Sequence, residues 1–123
     1  MSEQEIIEGN KLIAEFMGIK QNDFGHWINK NHLLGSQSKL FDFELKYHSS
    51  WDWLMPVVEK IENDLQDSFN VDIINKNQCE IVRNGNEFIC GYGFETIYHS
   101  KIKAVYYSVV EFIKWYNLCQ KEK

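Results

Sequence analysis

Apolar positions recur along this chain with two periods, and three of the segments they mark read as helices. Leu12, Ile13, Phe16 and Met17 share one face, so the spacing predicts a helix over 10–18. Gly18 is placed to close it in the left-handed conformation. The helix extends back to about Glu3, where Glu3, Glu5 and Glu8 suit an N-terminal end, although Gly9 weakens the run. Trp51, Leu54, Val58, Ile61 and Leu65 form a second stripe that runs straight through Pro56, with Ser50 as the N-cap. On that projection Trp51 faces the core, Trp53 lies on the flank above Lys60, and Pro56 faces solvent and bends the helix. Ile102, Val105, Tyr106, Val109, Phe112, Ile113 and Tyr116 mark a third helix within 100–117.

The strand-like segments lie between these helices. In "LFDFELKY" (40–47), Phe41, Phe43, Leu45 and Tyr47 alternate with polar residues, which predicts a half-buried strand. "VDII" (71–74) reads as a short strand. "QCEIVRNGNEFICGY" (78–92) reads as a hairpin about Asn84-Gly85, with Ile81 opposite Phe88 and Cys79 opposite Cys90. Gly91 and Gly93 mark a bulge or a strand end. Residues at about 19–39 follow neither period and form a long irregular loop, of a length that often carries function. The order predicts one α+β domain over 1–123, an antiparallel β-sheet layered with three main helices in an α-β-α sandwich-like arrangement.

Charge narrows the partners. The chain has 18 acidic and 13 Lys/Arg residues, a net charge of −5, which argues against non-specific nucleic-acid binding and leaves a basic protein surface open. "MSEQEIIEGNKL" has no basic segment leading into an apolar run, so neither a signal peptide nor a membrane span is expected. The expected location is the cytoplasm, with reduced thiols.

Candidate chemistry is sparse. His26, His32, His48 and His99 follow no zinc-ligand spacing, so no metal and no cofactor are expected; His26 and His32 with a distant carboxylate are the minor metal alternative. Cys79 and Cys90 read as two buried thiols, with a cross-strand disulfide as the alternative. His48-Ser49-Ser50 and His99-Ser100 place triad residue types side by side, yet neighbours on a strand point to opposite faces and the serines have a sufficient role as caps. No catalytic residue is assigned. Trp27, Trp53, Tyr107 and Trp115 fall off the predicted buried stripes, and with His26 and Tyr92 they make up the candidate binding residues. The competing reading has Trp27 plugging a sheet edge and Trp115 packing beneath the tail.

The segments "KLIAEFMG", "YHSSWDWLMPVVEKIE" and "KIKAVYYSVVEFIKWYN" together resemble small phage and prophage proteins of the ABA-sandwich type, especially those of Bacteroidetes genomes. The likeness covers 10–18 and 45–117, and the Trp-Asp-Trp segment is its specific part. It implies an α-β-α layered domain encoded in mobile elements, and it carries no catalytic residues over. The expected function is a non-enzymatic phage accessory protein that binds a host protein, with counter-defence as the extended reading. The alternative is a small-molecule binder or nucleotide sponge, in which Trp27 and Tyr92 stack on a base and the loop, with Lys20, Lys30 and Lys39, closes over it. A small hydrolase with a histidine–carboxylate site ranks last. A homodimer through the C-terminal helix is also expected, with Tyr107 and Trp115 in the contact and Lys101, Lys103, Glu111 and Lys114 as its rim.

Overall fold

The structure, a computed structural model, describes residues 2–28, 39–75, 78–92 and 100–121. The chain runs through α1 (Glu3–Phe16), β1 (Trp27–Ile28), β2 (Lys39–Leu40), a 3-10 turn (Asp42–Glu44) and α2 (Trp51–Asn63). It continues through β3 (Phe69–Asn75), β4 (Gln78–Arg83), β5 (Glu87–Tyr92) and α3 (Lys101–Lys121).

Helix α1 is closed at both ends by its own sequence. Ser2 Oγ accepts the Glu5 amide while the Glu5 carboxylate accepts the Ser2 amide, a capping box that satisfies two otherwise orphaned donors. At the other end Gly18 takes φ +81°, its amide bonds the Glu15 carbonyl, and the Ile19 amide bonds the Ala14 carbonyl, which together make a Schellman motif. Lys60 Nζ, reaching over from α2, donates to the Phe16 carbonyl in the last turn and lies 4.6 Å from the Phe16 ring centroid.

Strands β3, β4 and β5 form an antiparallel meander. Asn84 and Gly85 both take positive φ (55° and 83°) and the Asn86 amide bonds the Arg83 carbonyl, as the Asn-Gly pattern predicts. The register differs from the expected one. Arg83 pairs with Glu87 and Val82 with Phe88, one residue off the expected register, because Asn86 stays in the turn. An irregularity between Val82 and Ile81 then leaves Ile89 without a partner, so Ile81 pairs with Cys90 and Cys79 with Tyr92, two residues off. Together the two unpaired residues move the cysteines out of direct opposition.

Helix α3 lies across the inner face of this sheet, and its residues 104–110 are buried on every side. A helix hydrophobic all round needs neighbours all round. The sheet covers one side, and α1 and α2 cover the others. The α+β class, with helices layered on an antiparallel sheet, is the one the pattern predicts. Helix α2 also shields the sheet edge, since Glu62 accepts the Val71 amide at 3.1 Å.

Gly9 explains itself at the α1–α3 crossing. A Cβ there would sit 2.4 Å from Tyr106 Oη and 3.2 Å from Val110. Tyr106 is held in place by donating its hydroxyl to the Ile6 carbonyl at 3.1 Å. Gly9→Ala gains up to about 1 kcal/mol in helix propensity but overpacks a rigid contact at about 1–3 kcal/mol. A net loss of stability is expected in a denaturant titration, and a stabilised variant would contradict this crossing.

Three expectations are corrected. Residues 40–47 do not form a strand: only Lys39–Leu40 is extended and paired, and a 3-10 turn follows. The Glu44 carboxylate accepts the Phe41 amide at 2.9 Å, so the acidic residues make the turn and the period of two is coincidental. Leu45 and Tyr47 are buried, whereas Phe41 and Phe43 are exposed. In α2 the buried positions are Leu54, Val57, Val58 and Ile61. Trp51 is 37% exposed, because it is the first residue of the helix and its stripe runs past the surface that the helix packs on. Pro56 does lie within the helix and is exposed. Tyr107, expected on the outer side of α3, is only 5% exposed and packs against Tyr106. The expected dimer surface loses that anchor.

Candidate functional site

The segment from Gln21 to Ile28 folds into a tight hairpin. Asn22 drives it: its side-chain oxygen accepts the amides of Phe24 and His26, and its own amide bonds the His26 carbonyl. The hairpin delivers Trp27, 1% exposed, into the core beside Leu40. Its Nε1 donates to Asp42 Oδ1 at 2.6 Å, and Gln21 Nε2 donates to the same oxygen at 3.2 Å. Two donors on one carboxylate oxygen fix the 3-10 turn against the hairpin.

That anchoring projects the residues on either side of Asp42. Phe41 and Phe43 stack with ring centroids 5.5 Å apart and planes 8° from parallel, and the His26 ring lies 4.4 Å from Phe41. Phe43 is 74% exposed, and Phe24 stands further out on the hairpin. Exposed aromatics are ordinary singly; stacked and held by a hydrogen-bonded turn they make a pre-formed contact surface.

Beside it lies a cleft of about 290 Å³ between α1 and residues 42–48. Its lining includes Glu3, Ile6, Asn10, Asp42, Phe43 and His48. Asn10, 2% exposed, donates its amide nitrogen to the Leu45 carbonyl (3.1 Å) and to His48 Nδ1 (3.0 Å). The carbonyl can only accept, so the amide orientation is fixed, and both N–H groups are then spent. His48 Nδ1 must accept, which leaves the proton on Nε2. Burial holds the His48 pKa below its ordinary value, in keeping with a neutral ring. Asn10 Oδ1 is buried and has no partner among the described residues.

Of the residues singled out from the sequence, His26 joins the aromatic surface. Trp27 underlies it and offers no free face for stacking a base. Trp53 is half-buried with its ring edge-on to Tyr47 at 5.3 Å. Trp115 is half-buried against Phe69 and Phe112 with the Arg83 guanidinium 5.5 Å away, on the other side of α3. Tyr92 pairs with Cys79 in the sheet, and its side chain lies outside the described residues. His32, His99 and residues 29–38 of the 19–39 loop also lie outside them, and no cluster of metal-ligating side chains occurs among the residues described. Among the described side chains, these candidates therefore do not gather into one site. Phe41, Phe43 and Asn10 were missed. The signal for Asn10 was legible, since it interrupts the stripe Ile6, Gly9, Asn10, Ile13, Ala14.

The three cysteines are free thiols. Burial pushes Cys79 up to about 11 and Cys90 up to about 12, and the Cys90 thiol donates to the Ser108 carbonyl. Cys119 is half-buried in the last turns of α3. Titration of native protein near neutral pH should label Cys119 quickly and the other two slowly, with three thiols counted after denaturation. Fast labelling of Cys79 would contradict its placement.

No described helix is long and apolar enough to cross a membrane. No protein-family model, curated protein or solved structure matches the chain.

Proposed function

We propose that this chain is a non-enzymatic binding protein of phage or prophage origin that engages a host protein through Phe41, Phe43 and His26. The observation that carries the reading is the exposed ring stack held by the Trp27–Asp42 hydrogen bond. Rings already fixed by a turn lose little freedom on contact, and exposed aromatics anchored in this way are the usual centre of a protein interface. Asp23, Asp42 and Glu44 lie close to them in the chain, and the net charge of −5 points the same way. The complementary partner surface is an apolar pocket with a basic rim. Phe88, on the sheet face turned away from α3, pairs with Val82, shares that face with Asn70, Asp72 and Glu80, and reads as a single exposed ring. Blunting a host defence factor is the action that the phage resemblance suggests. The thiols of Cys79 and Cys90, kept protonated by burial, favour binding over thiolate chemistry.

The test is capture from bacterial host lysate on immobilised wild type and on Phe41→Ser/Phe43→Ser. A protein retained by the wild type and lost from the double variant supports the reading. Equal retention by both overturns this surface.

A further inference from the structure

The cleft beside α1 has a chemistry that the aromatic surface does not use. Its buried acceptor, Asn10 Oδ1, has no partner among the described residues, and its orientation is locked because the Leu45 carbonyl and His48 Nδ1 take both amide hydrogens. A buried acceptor left without a donor is costly, so the position calls for a donor group. The lining residues specify which kind. Glu3 and Asp42 bring negative charge and no Lys or Arg is among the described residues that line the cleft, while Ile6, Ile7, Leu45 and Phe43 supply apolar wall. At about 290 Å³ the space is at the small end for ligand sites, too small for a dinucleotide.

We propose that this cleft binds a primary ammonium group on a short alkyl stem, with Asn10 Oδ1 accepting one ammonium hydrogen and Glu3 and Asp42 balancing the charge. The Phe43 ring and the isoleucines take the stem. His48 is a positioning residue: by accepting the second amide hydrogen it fixes the amide's orientation and leaves Oδ1 as the one acceptor without a donor. The ammonium could come from a free alkylamine or from a lysine side chain of a bound protein, and the chemistry of recognition is the same.

The test uses the full chain, with 15N-labelled side-chain amides, titrated with n-pentylamine, 1,5-diaminopentane, Nα-acetyl-lysine-N-methylamide and 1-pentanol. Saturable shifts of the Asn10 side-chain amide are expected with the amines, with pentanol at least about tenfold weaker. Glu3→Gln, at an exposed position, should weaken amine binding by about two- to fivefold. Asn10→Leu should abolish it, and the Glu3 variant decides the matter if the leucine variant fails to fold. Tighter binding of the lysine amide than of pentylamine identifies a protein side chain as the ligand; preference for the diamine identifies a free amine. The proposal is overturned if no amine moves the Asn10 amide at concentrations on the order of 10 mM, or if pentanol binds as well as pentylamine. Neither result bears on Phe41, whose role is read from partner capture.

Discussion

Trp27→Ala should lower stability by about 3–5 kcal/mol, the cost of truncating a fully buried tryptophan. The ring fills core space beside Leu40, and its indole N–H is one of two donors on Asp42 Oδ1. Trp27→Phe keeps much of the volume and removes the donor, so it should cost less, about 1–3 kcal/mol for a hydrogen bond to a charged acceptor. Trp51→Ala, at a partly exposed first helical position, should cost less than about 1 kcal/mol. Urea titration of the three variants gives the order directly. A Trp51 effect equal to or larger than that of Trp27→Ala would mean that the two tryptophans have been assigned the wrong environments.

Phe41→Ser/Phe43→Ser should weaken the partner complex by at least about 100-fold, since interface aromatics at the centre of a contact are worth about 2 kcal/mol or more each. The same double variant should keep its stability within about 1 kcal/mol of wild type, because both rings already stand in solvent. This separation between affinity and stability sets the surface apart from the core. Isothermal titration of purified partner, paired with urea titration, measures both.

How far the sequence carried can be seen element by element. The three helices and the Asn84-Gly85 hairpin were legible because local signals agreed with the tertiary outcome: the acidic first turn and Gly18 in α1, and Asn-Gly between apolar runs. The hairpin register was not, since Asn86 stays in the turn and Ile89 is unpaired, each shifting the partners beyond it by one, and no local signal marked either. Residues 40–47 alternate like a strand, but side-chain hydrogen bonds at Asp42 and Glu44 made a turn cheaper than pairing. That one exchange moved Phe41 and Phe43 from the expected core to the surface. Tyr107 failed for a different reason. A helical wheel assigns a solvent side to every helix, and α3 has none over 104–110 because the sheet, α1 and α2 surround it. Of the candidate site, His26 was legible; the Asn10–His48 pair was not, since it joins residues far apart in the chain.

The most direct measurement places a photo-crosslinking benzoylphenylalanine at position 43 and, separately, at position 88, then exposes each variant to host lysate under light. Phe43 and Phe88 are both exposed aromatics, and the α3 layer lies between the surfaces that carry them. A discrete crosslinked protein from position 43, with none from position 88, is the predicted result. Crosslinking from position 88 alone would contradict the account and move the binding surface to the open face of the sheet.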